Sequence, residues 1–348
     1  MAEILGLGMS HFPALLRDEN LPGALYRMLA AKRVPEHAKD PRSWPPAMQA
    51  EYGDDRGVSV GRQHRDRCHE ASRQIRARLD AFKPDVVVIF GDDQYENFTE
   101  EVVPPFCVYL ADGFTSQPFA ADPKRFRNFW GEPVEKTFEH RGALNVGRWL
   151  VNRLSDEGTP LPYAYSLRYP HGLAHAFINT LLLLDVDRRG FDYPVLPFHV
   201  NCYGGDLIRS HGGTIAISDT DDDVDPPAPS PAACYDLGRH VGRAFAASPW
   251  RVALIASSSW SHATLTRKTN WIYPDHASDR ARFAELRDGH LPAWRSLTTA
   301  QLEDAGQHEL LNWIVLAGAM AEMGKRTEIV DWVETWVMNS TKCFAVFA

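Results

Sequence analysis

Cysteine is scarce. The chain of 348 residues has five (Cys68, Cys107, Cys202, Cys234 and Cys343), an odd number with no Cys-x-x-Cys pair, which argues against a disulfide framework and against a thiolate zinc knuckle. No apolar run is long enough to span a bilayer, and Met1 to His11 carry neither a basic leader nor a small-residue cleavage site. A soluble, unexported, cytoplasmic protein without a membrane partner is expected. Basic residues are outnumbered, 37 Lys and Arg against 45 Asp and Glu for a net charge of -8, and they form no stripe; no nucleic-acid partner is expected. No phosphate loop or G-x-G-x-x-G follows an apolar run, and there is no G-x-S-x-G elbow. The usual nucleotide-binding and serine-hydrolase signals are therefore missing.

What is present is an ordinary globular composition, 44% hydrophobic and 24% charged, enough to bury roughly 75% of the unfolded chain's surface. Ile4-Leu5-Gly6-Leu7-Gly8 reads as a buried strand that Met9 to Pro13 turns away from, which puts His11 at a strand's C-terminal end. Helical periodicity over Leu21–Lys32 gives way to a Pro- and charge-rich loop from Val34 to Gly57. A long polar-faced helix then runs from Gly61 to Phe82, ended by Pro84. Asp85 to Phe90 is the clearest buried strand. Further strands are expected at Cys107–Leu110, Pro194–Val200, Val252–Ser257 and Cys343–Phe347, and further helices near Ala143–Leu154, Leu173–Leu184, Ala233–Ala247, Ala277–Arg287 and His308–Met323. The alternation predicts an α/β fold over residues 1–348 as a single domain, with a central, mostly buried mixed β-sheet flanked by helices. Ser218 to Pro231, acidic and then Pro-rich, reads as a surface loop. It is no calcium loop, because Val224 occupies the sharp-turn glycine position and Ser230 the bidentate glutamate position.

Fourteen histidines are many, and several follow predicted strands. In open α/β sheets ligands gather outside the carboxyl ends of strands, so the active site is expected there. His11, the Gly91-Asp92-Asp93-Gln94 turn, and His262 after Ser258-Ser259-Trp260-Ser261 are the loops able to converge. Glu309, at the start of a strongly apolar helix, is either an N-terminal dipole partner or a buried metal ligand. His171 precedes the Leu173 helix, with His175 one turn on. A zinc protease would need Glu beside the first of such a pair, where Gly172 stands, so His175 reads as structural and His199 as a core histidine.

Five segments in this order resemble the class III extradiol ring-cleavage dioxygenases, of the protocatechuate 4,5-dioxygenase catalytic-subunit and gallate or methylgallate type. They are Gly8-Met9-Ser10-His11-Phe12-Pro13, Pro84 to Gly91 with Asp92-Asp93-Gln94, His171-Gly172, Ser259-Trp260-Ser261-His262, and Glu309-Leu310-Leu311-Asn312-Trp313. The resemblance implies a non-haem Fe(II) held by two histidines and a glutamate, with positions left for a catechol and dioxygen. It assigns metal ligation to His11 and Glu309, proton abstraction from the substrate to His262, and a place near the bound oxygen or substrate to His171. It also implies a small aromatic substrate with O2, and association into a homo-oligomer.

The departure is Gln94, where the family has its second histidine ligand. Gln94 itself, a neighbouring Asp, or a histidine from another element can take that place. If the Gly61–Phe82 helix runs antiparallel to the following strand, His69 lies level with Gly91 and His64 further along, over the active-site end. The run His64-Arg65-Asp66-Arg67-Cys68-His69 resembles a helix of the methylgallate-type members, which also have a Gln-containing loop, and this resemblance implies His64 as the preferred substitute. Arg168, Arg267 and Lys268 are candidates for an anionic substituent, and Phe114 to Gly131 for a cover over the site. The first functional reading is extradiol cleavage of a substituted catechol or gallate. The alternatives are a different oxidation or hydrolysis at an altered metal site, and a non-catalytic relative that binds an aromatic ligand.

Overall fold

In the computed structural model residues 3–121, 127–212 and 225–348 are described. The strands are β1 (Ile4–Met9), β2 (Val86–Gly91), β3 (Phe106–Tyr109), β4 (Gly113–Ser116), β5 (Phe138–Arg141), β6 (Tyr163–Ala164), β7 (Val195–Val200), β8 (Val252–Ser257), β9 (Thr327–Val333) and β10 (Lys342–Phe347). The helices are α1 (Gly23–Ala30), α2 (Glu36–Lys39), α3 (Pro46–Tyr52), α4 (Val58–Phe82), α5 (Leu144–Asp156), α6 (His175–Leu184), α7 (Asp206–Arg209), α8 (Pro231–Ala246), α9 (His276–Arg287), α10 (Thr299–Asp304) and α11 (Leu310–Glu322). Eight strands form one mixed sheet in the order β6-β3-β7-β2-β8-β1-β10-β9, and β4 pairs with β5 alone.

The four central strands β7, β2, β8 and β1 are mutually parallel, while β10 pairs antiparallel with β1 and β3 antiparallel with β7. Val86 to Phe90 are all buried, the pattern of a strand covered on both faces. Alternate residues divide between two cores, as the two-residue period of a strand requires. Val86, Val88, Phe90 and Leu254 pack with Leu150, Val241, Phe245 and Ile314 of α5, α8 and α11. Val87, Ile89, Ala253 and Ile255 pack on the opposite face with Ile75, Leu79, Phe177 and Leu181 of α4 and α6. The helix α11 is drawn close to the sheet at Gly8, where a Cβ would lie 2.1 Å from the Trp313 ring. This approach fixes α11, and Glu309 at its N-terminus, relative to β1 and His11.

The expected α/β fold, with one large mixed sheet between helices, is what the chain adopts. The boundaries of the central strands and long helices fall within a few residues of expectation. Helix α4 ends where Lys83 turns into the left-handed region (φ 52) before Pro84. The segment 34–57, expected as loop, contains α2 and α3, and β4, β5, β6 and β9 were not anticipated. Strand β9 places Glu328 and Asp331 among half-buried neighbours at the sheet edge, so its apolar signal is weak. Of the predicted surface loop 218–231, residues up to 224 lie outside the described residues. The remainder leads into α8, whose N-cap Ser230 accepts from the Ala233 amide. All five cysteines are free and buried. Among the described residues no helix is long and apolar enough to cross a membrane.

Candidate active site

The site forms where β1, β2 and β8 end. His11 lies two residues beyond β1, and its Nδ1 is 2.9 Å from the Ser257 carbonyl at the end of β8. A carbonyl only accepts, so Nδ1 carries the hydrogen and Nε2 presents its lone pair to the site. Asp92, immediately after β2, and Glu309, at the N-cap of α11, face that nitrogen: Asp92 Oδ1 and Glu309 Oε2 each lie 3.8 Å from His11 Nε2. These distances are too long for hydrogen bonds, and both oxygens are buried without a hydrogen-bond partner. Glu309 makes no side-chain cap hydrogen bond to the helix terminus. Its Oε1 accepts instead from Tyr203 Oη at 2.6 Å and from Gln94 Nε2 at 3.1 Å.

Gln94 Nε2 also donates to Asp92 Oδ2 at 3.0 Å. One amide therefore occupies the outer oxygen of each carboxylate and leaves the inner pair, Oδ1 and Oε2, facing His11. His262 stands on the other side of Glu309, with Nε2 3.6 Å from Oε1. Its Nδ1 donates to the Trp260 carbonyl at 2.8 Å, so its Nε2 too is an open acceptor. His175 joins from the start of α6, its ring 5.0 Å from that of His11 and nearly perpendicular to it.

Burial governs the charges. It holds His11 and His262 down at about 4, so both are neutral bases at neutral pH. Burial raises Glu309, and the neighbouring Asp92 carboxylate raises it further. For His175, burial opposes the charged form, but Glu96, Asp92 and Glu309 outweigh it and push the imidazole up to about 10. Two buried carboxylates with unpartnered oxygens, beside a neutral imidazole whose lone pair points between them, form an arrangement that a divalent cation would satisfy. One nitrogen and two oxygen donors suit a non-haem iron or a similar first-row ion. The fit is strengthened by His11, Asp92 and His175, whose donor atoms all lie within 4.8 Å of one another. A cavity of about 1040 Å³ opens over these groups, with His11, Gln94, His175, Tyr203, His262 and Glu309 in its lining.

The sequence-predicted residues divide in two. His11, Glu309, Gln94 and His262 are brought together. His64 is not, and its choice as substitute ligand is corrected: it faces α3, where its Nε2 lies 3.4 Å from Glu51 Oε1. Helix rise gives the level of His64 along α4, and resemblance its residue type, but neither says toward which neighbour the side chain turns. His171 lies outside the cavity lining, edge-on to Tyr169 with ring centroids 5.2 Å apart. Asp93 accepts from the amides of Glu96 and Asn97 and so holds the turn, while Asp92 faces the site. Arg168 pairs with Glu101, and Lys268 with Asp275 and Asp304; neither they nor Arg267 line the cavity, whereas Arg17, Arg27 and Arg127 do. Pro118, Phe119 and Gly131 of the predicted cover also line it, and residues 122–126 lie outside the described residues. Sequence reasoning missed Tyr203 and set His175 aside. Tyr203 follows the C-terminal end of β7, the same kind of position that singled out His11.

Sheet, donors and cavity together define an α/β protein built around a buried carboxylate and histidine centre. Its kin are ring-cleaving enzymes. A "2,3-dihydroxyphenylpropionate/2,3-dihydroxicinnamic acid 1,2-dioxygenase" of Paraburkholderia xenovorans (strain LB400) is 25% identical over 301 residues, covering 78% of this chain and 86% of the relative. Proteins of the same name from Paraburkholderia phymatum and Burkholderia vietnamiensis are 26% and 24% identical, each covering 76% of this chain and 85% of the relative. No family model matches the chain. A solved structure, an uncharacterized protein from Escherichia coli K12, has a TM-score of 0.46 and 11% identity over 81% of this chain, too distant to bear on the site. The relatives bear out the resemblance drawn from the motifs: over most of its length the chain is similar to proteins named as ring-cleavage dioxygenases, consistent with an oxidoreductase of that kind.

Proposed function

We propose that residues 1–348 form one catalytic domain that opens the ring of a substituted catechol with dioxygen, using Fe(II) held by His11 and Glu309 with Asp92 beside them. The observation that carries this reading is the convergence of Asp92 Oδ1 and Glu309 Oε2 on His11 Nε2, each at 3.8 Å, next to an unprotonated His262. Bound iron would supply a single coordination sphere for the two catechol oxygens and O2.

The chain's own residues do the rest. His262 Nε2 takes the proton of a ring hydroxyl, and its hydrogen bond to the Trp260 carbonyl keeps the ring in the accepting tautomer. Tyr203 and Gln94 hold Glu309 Oε1, so the carboxylate presents one oxygen. Phe12, Phe119 and Leu265 supply apolar wall for an aromatic ring, and Arg17, Arg27 and Arg127 share the lining with Glu19 and Glu132. A substrate with an acidic substituent is suggested by the dihydroxyphenylpropionate in the relatives' names.

The test is oxygen uptake by anaerobically Fe(II)-loaded protein given 2,3-dihydroxyphenylpropionate, protocatechuate, gallate and unsubstituted catechol. Uptake with a ring-opened chromophore is expected, fastest with an acid-bearing catechol. Stoichiometric iron without uptake on any of these would overturn ring cleavage.

A further inference from the structure

The residue that replaces the family's second histidine does not point a ligand atom at the centre. Gln94 Nε2 donates to Asp92 Oδ2 and Glu309 Oε1, at 3.0 and 3.1 Å. It acts on the carboxylates from behind and leaves their inner oxygens free. The turn that carries Gln94 also carries Glu96, and Glu96 reaches α6. Its Oε1 accepts from the His175 backbone amide at 2.8 Å, and its Oε2 lies 3.0 Å from His175 Nδ1. One carboxylate thus grips His175 at two points and orients the imidazole with Nδ1 toward the acid. This is the carboxylate–histidine pairing that fixes the ring and tautomer of metal-bound histidines. His175 offers a donor within 4.8 Å of those of His11 and Asp92.

Resting on the metal-dependent reading above, we infer that His175 is the second nitrogen ligand of this centre. Glu96 is its positioning residue, and Gln94 is a clamp on the carboxylates. The imidazole lost from the turn after β2 is supplied by the first residue of α6, and the turn keeps control of it through Glu96. The expected donor set is His11, His175 and Glu309, with Asp92 adjoining.

The experiment counts nitrogens and measures affinity without turnover. The full chain and its variants are loaded with Cu(II) for electron paramagnetic resonance, and dialysed against Co(II) for stoichiometry. The native protein should show splitting from two nitrogens. His175→Ala should show one and bind Co(II) at least about 100-fold more weakly, beyond the roughly 10–100-fold typical of losing a partner behind a ligand. Gln94→Ala should keep two nitrogens. Glu96→Gln should keep two while weakening Co(II) binding by roughly 10–100-fold. Gln94→His in the His175→Ala background should restore the second nitrogen. If His175→Ala does not fold, His175→Gln replaces it. Two nitrogens retained without His175 would overturn this inference and leave the metal-dependent reading standing. Failure of the native protein to bind Cu(II) or Co(II) would overturn both.

Discussion

Tyr203 donates its phenolic hydrogen to Oε1 of Glu309 at 2.6 Å, which makes Oε2 the oxygen that faces His11. The phenol is buried and its ring is stacked on His308, the centroids 5.3 Å apart. Tyr203→Phe keeps the ring and removes only the donor. Co(II) affinity should fall by roughly 10–100-fold, the usual cost of losing a partner behind a ligand, with the fold intact. Equilibrium dialysis against Co(II) and circular dichroism check both halves. Unchanged affinity would mean that the Gln94 amide alone sets the carboxylate.

His262 is assigned to proton removal and not to metal retention. His262→Ala should keep one iron per chain and lose turnover by roughly 10²- to 10⁴-fold, the range for a general base. Iron content and oxygen uptake are measured on one preparation. Full activity would remove His262 from the reaction.

Lys342 is wholly buried. Its ammonium donates to the carbonyls of Met338 and Ser340 and lies 4.2 Å from the centre of the Phe12 ring. Burial lowers it from 10.5 to about 8. Between those values the unfolded chain binds a proton on this lysine that the folded chain does not, so the contribution of Lys342 to stability should rise with pH from about 8 to 10.5, by up to about 3 kcal/mol at roughly 1.4 kcal/mol per unit. Denaturant unfolding at pH 7.5 and 9.5 reads this contribution as the difference in slope between the native protein and Lys342→Met, since the buried cysteines, which lower stability as their unfolded thiols ionise, act alike in both.

Gly8 faces Trp313, whose indole Nε1 donates to the Ser258 carbonyl at 3.2 Å. A methyl at position 8 would sit 2.1 Å from ring carbon. Gly8→Ala must therefore shift α11 relative to β1, at a cost of about 1–3 kcal/mol for overpacking a filled core. His11 and Glu309 move apart with it. The melting temperature and Co(II) affinity should fall together; loss of stability alone would show that His11 and Glu309 are positioned independently.

The fold was legible wherever burial on both faces produces an unbroken apolar run, as in Val86 to Phe90, or where a helix is long enough to show its period. It was illegible at β9, where an edge position admits Glu328 and Asp331, and at α2 and α3, where prolines read as loop. His11, Glu309 and His262, which the structure brings together, could be singled out because each stands in a short motif after a strand or at a helix start. Gln94 could be recognised as a departure, but its donor role depends on two carboxylates distant in sequence or turned toward it. His175 was set aside because nothing local reveals Glu96, 79 residues earlier, holding its ring. The choice of His64 failed for the same reason: its neighbour Glu51 is set by the packing of α3 on α4.

The buried cysteines bear on how this protein behaves in air. Burial pushes Cys68 and Cys107 up to about 12 and raises Cys202, Cys234 and Cys343 as well. Sulfur chemistry with oxidants runs through the thiolate, and in these positions the thiolate is almost absent at neutral pH. If the proposed iron centre sustains activity, inactivation in air should be reversed by ferrous salt with ascorbate and not by thiol reductants, because the buried thiols offer oxidants little thiolate.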